Sequence, residues 1–245
     1  MSHALASPSS AAMWLTCPAS VTLTIGRPRP SSKYAKEGTA AHAIAESLLG
    51  GDMFPPDRMT VEGSEFLIGR DMLLHLRPYV DYIEGLRKQG FKVYTEHRVS
   101  LSISQGLVWG TADCIASRRG YLEIVDLKFG RGVPVSPDSA QLKIYALGAL
   151  ESLGGPPVGR VALTVIQPRL NAASQTVNMP VGDLLDWSEK ELEPAVERLI
   201  LQDTTEVAGP HCRWCVRQTE CGAFAAKKSG LAADLFDDGV DLTTV

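Results

Sequence analysis

Residues 110–132, GTADCIASRRGYLEIVDLKFGRG, constrain the chain more than any other stretch. Two apolar runs separated by a tight turn at Arg118-Arg119-Gly120 read as a β-hairpin. Each arm carries an aspartate, Asp113 and Asp126, in surroundings (ADCIA, LEIVDLKF) too apolar for a solvated face. Side chains alternate along a strand, so Asp126 and Lys128 share one face and Val125 and Leu127 the other, with Asp113 about 5 Å away across the pair. Two carboxylates at that spacing raise one another's pKa unless a cation lies between them. Mg²⁺ or Mn²⁺ suits such an oxygen-rich pair, and the Lys128 ammonium then faces whatever the ion binds. The competing reading is a pair of surface aspartates with Lys128 in a cross-strand ion pair worth little.

The rest of the chain places this hairpin in a mixed α/β domain. A short helix is expected over AAMWLTCPAS, followed by loop to Ser32. EGTAAHAIAESLLGG reads as a helix capped by Thr39 and ended by Gly50-Gly51. Periodicity predicts helix from Phe66 to Gly90, with Pro78 kinking it or starting a second segment. FKVYTEHRVSLSI, LVWGTADCIAS and YLEIVDLKF are three successive strands. A helix entered through Ser136-Pro137 follows, then a strand (VGRVALTVIQP) and a long helix (VGDLLDWSEKELEPAVERLILQ). The 245 residues, 44% apolar and 21% charged, suffice for one large domain with a real core. No apolar run approaches the roughly 18 residues of a span, and no basic-then-apolar leader is recognisable, so a cytoplasmic protein without a membrane segment is expected. The net charge of −4 is uneven: of 28 acidic residues, Asp234, Asp237, Asp238 and Asp241 lie beyond Gly230, leaving 24 against 24 basic ones. A neutral body of this kind still accommodates a nucleic-acid partner.

Two helices bear on the hairpin. His42 and Glu46 are spaced i, i+4, as are Gln141 and Tyr145, so each pair shares a helix face. The ordered set His42, Gly110-Thr111-Ala112-Asp113, Asp126-Leu127-Lys128 and Gln141-x-x-x-Tyr145 resembles the RecB-like branch of the PD-(D/E)XK nuclease superfamily over roughly residues 34–170. The resemblance implies a restriction-endonuclease-like core with a mixed central sheet flanked by helices. It also implies that His42, Asp113, Asp126 and the Leu127 carbonyl ligate Mg²⁺ or Mn²⁺, that Lys128 orients the attacking water or stabilises the phosphorane, and that Gln141 and Tyr145 line the site. Glu46 and Glu96 read as spare acids nearby, more structural than ligating. Arg118, Arg119, Arg131, Lys143 and Arg169 are weak candidates for backbone contacts.

Cys212-x2-Cys215-x5-Cys221 supplies three soft ligands, because clustered cysteines in a reducing compartment favour a metal. The fourth ligand is open among Cys17, Cys114 and His211. Cys114 is expected to point into the core, and His211 lies awkwardly beside Cys212. The metal is iron–sulfur or, alternatively, structural zinc. Iron–sulfur members of the resembled family, such as the CRISPR-associated exonucleases and AddB-type helicase-nucleases, use one N-terminal and three C-terminal cysteines. That precedent implies a [4Fe–4S] cluster on Cys17, Cys212, Cys215 and Cys221, joining the two ends of a single domain over residues 1–230. AxxMWLTCPAS and SKYAKEGTAAH further resemble a phage- or prophage-encoded branch, whose members act in the host cytoplasm. The implied function is a metal-dependent DNA nuclease, an exonuclease hydrolysing phosphodiester bonds in phage recombination or replication. The alternative is a nuclease-derived recruitment module whose acidic, flexible tail (residues 231–245) docks a recombinase or single-strand binding protein.

Overall fold

The computed structural model describes residues 4–29, 31–52, 55–132, 134–154, 157–170 and 174–237, the last seven by backbone alone. In chain order the elements are α1 (Ala11–Trp14), α2 (Ala19–Thr22), α3 (Lys33–Leu49), β1 (Arg58–Val61), β2 (Ser64–Leu67), α4 (Arg70–Lys88), β3 (Lys92–Ser100), β4 (Trp109–Arg118), β5 (Gly120–Leu127), α5 (Ala140–Leu153), β6 (Val158–Ile166), β7 (Gln175–Pro180), α6 (Val181–Trp187), α7 (Glu193–Ile200) and α8 (Gly222–Asp237). The chain is α/β, with a five-stranded sheet in the order β3-β4-β5-β6-β7. Only β5 and β6 run parallel, joined by the crossover through α5.

Helices cover both faces. On one face Trp14, Ile115, Leu122, Ile124, Leu142 and Leu163 interlock under α1, α5, α6 and α7. On the other, Ile44, Leu76, Ile83, Cys114, Val125 and Leu127 pack beneath α3 and α4. Val125 and Leu127 therefore share a face, as their alternation requires. Cys114 is buried in that second layer, away from the other cysteines. The β4–β5 turn closes with Gly120 at φ 79°, a left-handed conformation that glycine adopts without steric cost.

Several boundaries differ from the sequence reading. Helix α3 starts at Lys33 because Ser32 caps it, its side chain accepting the Ala35 N–H at 3.1 Å. Thr39 lies inside the helix and turns its hydroxyl back to the Ala35 carbonyl, at 3.2 Å. Phe66 belongs to β2, and α4 begins after Gly69 and runs unbroken through Pro78. Ser139, two residues past Pro137, caps α5. The hairpin β1–β2 and the edge strand β7 are additional elements; the long C-terminal helix is α6 and α7 joined by a π-turn over Ser188–Leu192. The first part of the acidic tail lies in α8, and residues 238–245 fall outside the described residues. No described helix is long and apolar enough to cross a membrane.

The two ends of the chain are stitched together. Thr22 Oγ1 donates to the Asp203 carbonyl at 2.8 Å, Arg198 to the Leu15 carbonyl at 2.6 Å, and Arg27 reaches Glu220 with both terminal nitrogens at 2.9 Å.

Candidate metal centre

Strands β4 and β5 pair from Cys114↔Val125 to Arg118↔Tyr121. One step beyond the end of that ladder, Asp113 stands level with Asp126. The backbone N–H of Leu127 takes the Asp113 side chain as its partner, at 2.7 Å from Oδ2. The strands separate there, and the opening admits side chains from α3 and α5.

From α3, His42 places Nδ1 3.2 Å from Asp113 Oδ1 and 4.0 Å from Glu96 Oε1. Glu96 reaches the same point by an unusual route. The β3–β4 ladder holds Thr95↔Cys114 and His97↔Ala112, so Glu96 lies opposite Asp113, and its backbone sits at φ 45°. A left-handed non-glycine residue in a strand costs about 1–3 kcal/mol. The Glu96 carboxylate completes a candidate donor trio: one atom each from His42, Glu96 and Asp113 lies within 4.8 Å of the others. Glu46, Tyr79 and Leu127 line the same cleft.

The second half of the site is a network around β5 and α5. Lys128 Nζ lies 2.9 Å from Asp126 Oδ2 and hydrogen-bonds Oδ1 at 3.1 Å. Gln141 accepts from Lys128 Nζ at 3.2 Å and donates to Asp126 Oδ1 at 3.1 Å. Gln141 also lies 3.5 Å from the Tyr145 hydroxyl. Asp126 is 1% exposed, yet its Oδ2 accepts no hydrogen bond, because the close Lys128 ammonium is not aligned with it.

The electrostatics report a crowd of anions. Burial pushes Asp126 up to about 6, against the lowering pull of Lys128 and with Asp113 adding to the rise. Burial, then Asp113, pushes Glu96 up to about 7, with His42 opposing and Glu46 reinforcing. For His42, burial favours the neutral ring, but Asp113, Asp126 and Glu96 overcome it and hold the imidazole up at about 9. Burial likewise works against the Lys128 charge, and Asp126 and Asp113 outweigh it. Protons on His42 and Glu96 supply the positive charge this pocket demands. A divalent cation would supply it better, since one nitrogen and several carboxylate oxygens, one of them an unbonded buried Oδ2, form a donor set suited to Mg²⁺ or Mn²⁺.

Of the residues expected here, His42, Asp113, Asp126, Lys128, Gln141 and Tyr145 all converge. The structure places Glu96, read from sequence as a spare acid, in the tightest trio. Asp126 sits beside that trio, bonded to Lys128 and Gln141. Among the weak basic candidates, Arg118 stacks on Phe91, Lys143 pairs with Asp138 at 2.7 Å, and Arg169 with Glu37 at 2.9 Å.

Of the cysteines, Cys17 and Cys212 both meet the segment 205–209. Val207 donates its N–H to Cys17 Sγ at 3.4 Å, and its carbonyl lies 4.0 Å from Cys212 Sγ. Gly209 N–H donates to Cys212 Sγ at 3.3 Å and Phe224 N–H to Cys221 Sγ at 3.4 Å. Among the described residues, the His42–Glu96–Asp113 trio is the group within reach of a single ion, so the thiols are spaced more widely than one ion's shell.

The model of a family described as "Protein of unknown function (DUF2800)" matches residues 3–244. Among solved structures, the crystal structure of SSO0001 overlays 89% of this chain and 85% of its own, with 17% identity and a TM-score of 0.40.

Proposed function

We propose that this chain, which belongs to the DUF2800 family, is a metal-dependent deoxyribonuclease of the RecB-like PD-(D/E)XK kind, with a restriction-endonuclease-like core. One observation carries the reading: the buried Asp126, 2.9 Å from a half-buried Lys128, stands beside a His42–Glu96–Asp113 trio closing within 4.8 Å. His42, Glu96, Asp113 and Asp126 would hold the ion. A bound Mg²⁺ or Mn²⁺ supplies Lewis-acid charge and makes water nucleophilic near neutral pH. The protein's own part is positional and electrostatic. Asp126 and Gln141 fix the Lys128 ammonium, leaving a permanently charged, partly desolvated donor where negative charge develops on a phosphate. Tyr145, hydrogen-bonded to Gln141, keeps its proton because burial, then Asp113, pushes its pKa up. It therefore serves as a donor in the wall of the site and not as a base.

The test is incubation of purified protein with end-labelled DNA and Mn²⁺. Cleavage by the wild type and its loss in Lys128→Ala is the expected result; undiminished cleavage by that variant overturns the assignment.

For Cys17, Cys212, Cys215 and Cys221 we infer a [4Fe–4S] cluster in preference to zinc, as the sequence resemblance implies. Backbone N–H groups directed at the sulfurs of Cys17, Cys212 and Cys221 are contacts of the kind that surround cluster ligands. The protein should purify brown, and Cys17→Ser should bleach it; a colourless protein carrying stoichiometric zinc contradicts the cluster. The role in phage recombination or replication follows from the sequence resemblance and remains part of this proposal.

A further inference from the structure

Gly110 has no conformational reason to be glycine, since it lies in β4 and its φ is outside the left-handed region. Space is the reason. A methyl group there would stand 2.9 Å from Pro8 Cδ, 3.0 Å from Pro8 Cγ and 3.1 Å from Tyr145 Cε1. A bare Cα in a strand marks such a close approach. The Pro8 ring and one edge of the Tyr145 ring therefore close over the same face of Gly110. That edge matters, because Cε1 is bonded to the carbon that carries the Tyr145 hydroxyl.

Both partners are held from behind. Pro8 is buried in a single 3-10 turn, Pro8–Ser10, which packs on α5 and β4. The Ser7 carbonyl closes the turn by accepting the Ser10 N–H at 3.0 Å and the Trp14 indole N–H at 2.9 Å. Trp14 is fully buried in the same core layer as α5, and the Ala6 N–H donates to the Leu107 carbonyl at 3.2 Å. On the other side, α5 sits directly on the sheet: a Cβ at Gly148, three residues beyond Tyr145, would come within 2.8 Å of Val99. The helix backbone has little room to shift, so the freedom left to Tyr145 is in its side-chain torsions. Pro8 limits those torsions.

The ring begins a chain of contacts that ends at the reactive pair. The Tyr145 hydroxyl lies 3.5 Å from Gln141 Nε2, and Gln141 donates to Asp126 at 3.1 Å and accepts from Lys128 at 3.2 Å. Pro8 itself lies outside the cleft around His42 and Asp113. Any effect it has on the chemistry passes through Tyr145.

We infer that Pro8 is a positioning residue: by bracing Tyr145 over Gly110 it sets, through Gln141, where the Lys128 ammonium stands. The inference rests on the phosphodiesterase reading of the site and adds a residue of the N-terminal segment to it.

The test uses full-length protein carrying 3-fluorotyrosine, with the ¹⁹F resonance of Tyr145 identified by its absence from Tyr145→Phe. Pro8→Ala, which removes Cγ and Cδ, should shift that resonance. It should also lower kcat for Mn²⁺-dependent cleavage of end-labelled DNA by about tenfold, with KM within about twofold. Gly110→Ala should do the same by forcing the two rings apart. Simple loss of packing makes the double variant worse than either single one. Bracing gives the reverse, because the new methyl then stands against Tyr145 in place of the proline ring. Pro8→Ala combined with Gly110→Ala should therefore recover the wild-type resonance position and most of kcat. An unmoved resonance in Pro8→Ala, a loss confined to KM, cleavage unchanged by a moved ring, or a double variant worse than both single ones overturns the inference. Wild-type protein that cuts no DNA overturns the nuclease reading instead. The Tyr145 resonance then decides alone, its shift in Pro8→Ala supporting the brace and its constancy overturning it.

Discussion

Two acids three residues apart on β5 are buried almost equally, Glu123 at 4% exposure and Asp126 at 1%, and the protein treats them in opposite ways. Glu123 faces the α4 side, where one oxygen accepts from Tyr82 at 2.6 Å and from Thr164 at 2.7 Å, with Thr164 linked on to Thr176 at 2.9 Å. Burial, then the carboxylate, pushes the Tyr82 hydroxyl up to about 12, so it stays a donor. Asp126 faces α5, ion-paired through Oδ2 to Lys128 at 2.9 Å but with no hydrogen bond to that oxygen, other acids nearby and its own pKa raised. The first arrangement is a network of neutral hydroxyls on one carboxylate oxygen, a common way to hold a buried acid. The second raises the cost of keeping Asp126 charged, and the proposed divalent cation would offset that cost.

The largest expected effect separates the two acids by function. Asp126→Asn and Lys128→Ala should each slow Mn²⁺-dependent DNA cleavage by about 10²–10³-fold. Glu123→Ala should leave the cleavage rate near wild type but cost about 1–3 kcal/mol, since it strips two buried hydroxyls of their acceptor. Thermal melts beside gel-based cleavage assays read both quantities. If Glu123→Ala abolishes cleavage in a protein that is still folded, the contrast fails.

A second test concerns pH. His42 is raised from 6.5 to about 9, so in metal-free protein its contribution to stability is complete below pH 6.5 and is lost as pH rises through 9. Glu96 and Asp126 are raised from 4.5 and 3.8 to about 7 and 6, so each destabilises progressively as pH climbs from about 4 to those values. The Tm in EDTA should therefore fall from pH 6 to 9. Added Mn²⁺, which competes with those protons, should raise the Tm by an amount that grows with pH. A metal-induced shift independent of pH contradicts the placement of His42 and Glu96 at the ion.

The smallest effect isolates the strained ligand. Glu96→Gly relieves the left-handed backbone but removes a carboxylate, so stability in EDTA should hold within about 1 kcal/mol while Mn²⁺ affinity drops. Unchanged Mn²⁺ affinity would show that the strain serves something else.

Much of the site was legible in sequence because its signals are local. Alternation alone put Asp126 and Lys128 on one face, and i, i+4 spacing put Gln141 beside Tyr145; both hold at hydrogen-bond distance. Glu96 was legible only as a spare acid near the site, not as a member of the candidate trio. YTEHRV shows an acid on a strand, and the backbone φ of 45° at Glu96 is a tertiary feature that no local pattern announces. The missed elements share a cause: β7 is an edge strand with little buried surface, and β1–β2 is an outlying hairpin, so neither shows a long apolar run. At α3 the Gly38-Thr39 pair gave a plausible but false start signal, overridden by the cap at Ser32.

The central claim is that these acids exist to hold a divalent ion, and direct titration of Mn²⁺ into metal-free protein at pH 7.5 tests it. The wild type and Glu123→Gln should bind Mn²⁺ alike, whereas Asp113→Asn and Glu96→Gln should each lose about tenfold or more in affinity. No binding by the wild type, or equal binding by all four proteins, contradicts it.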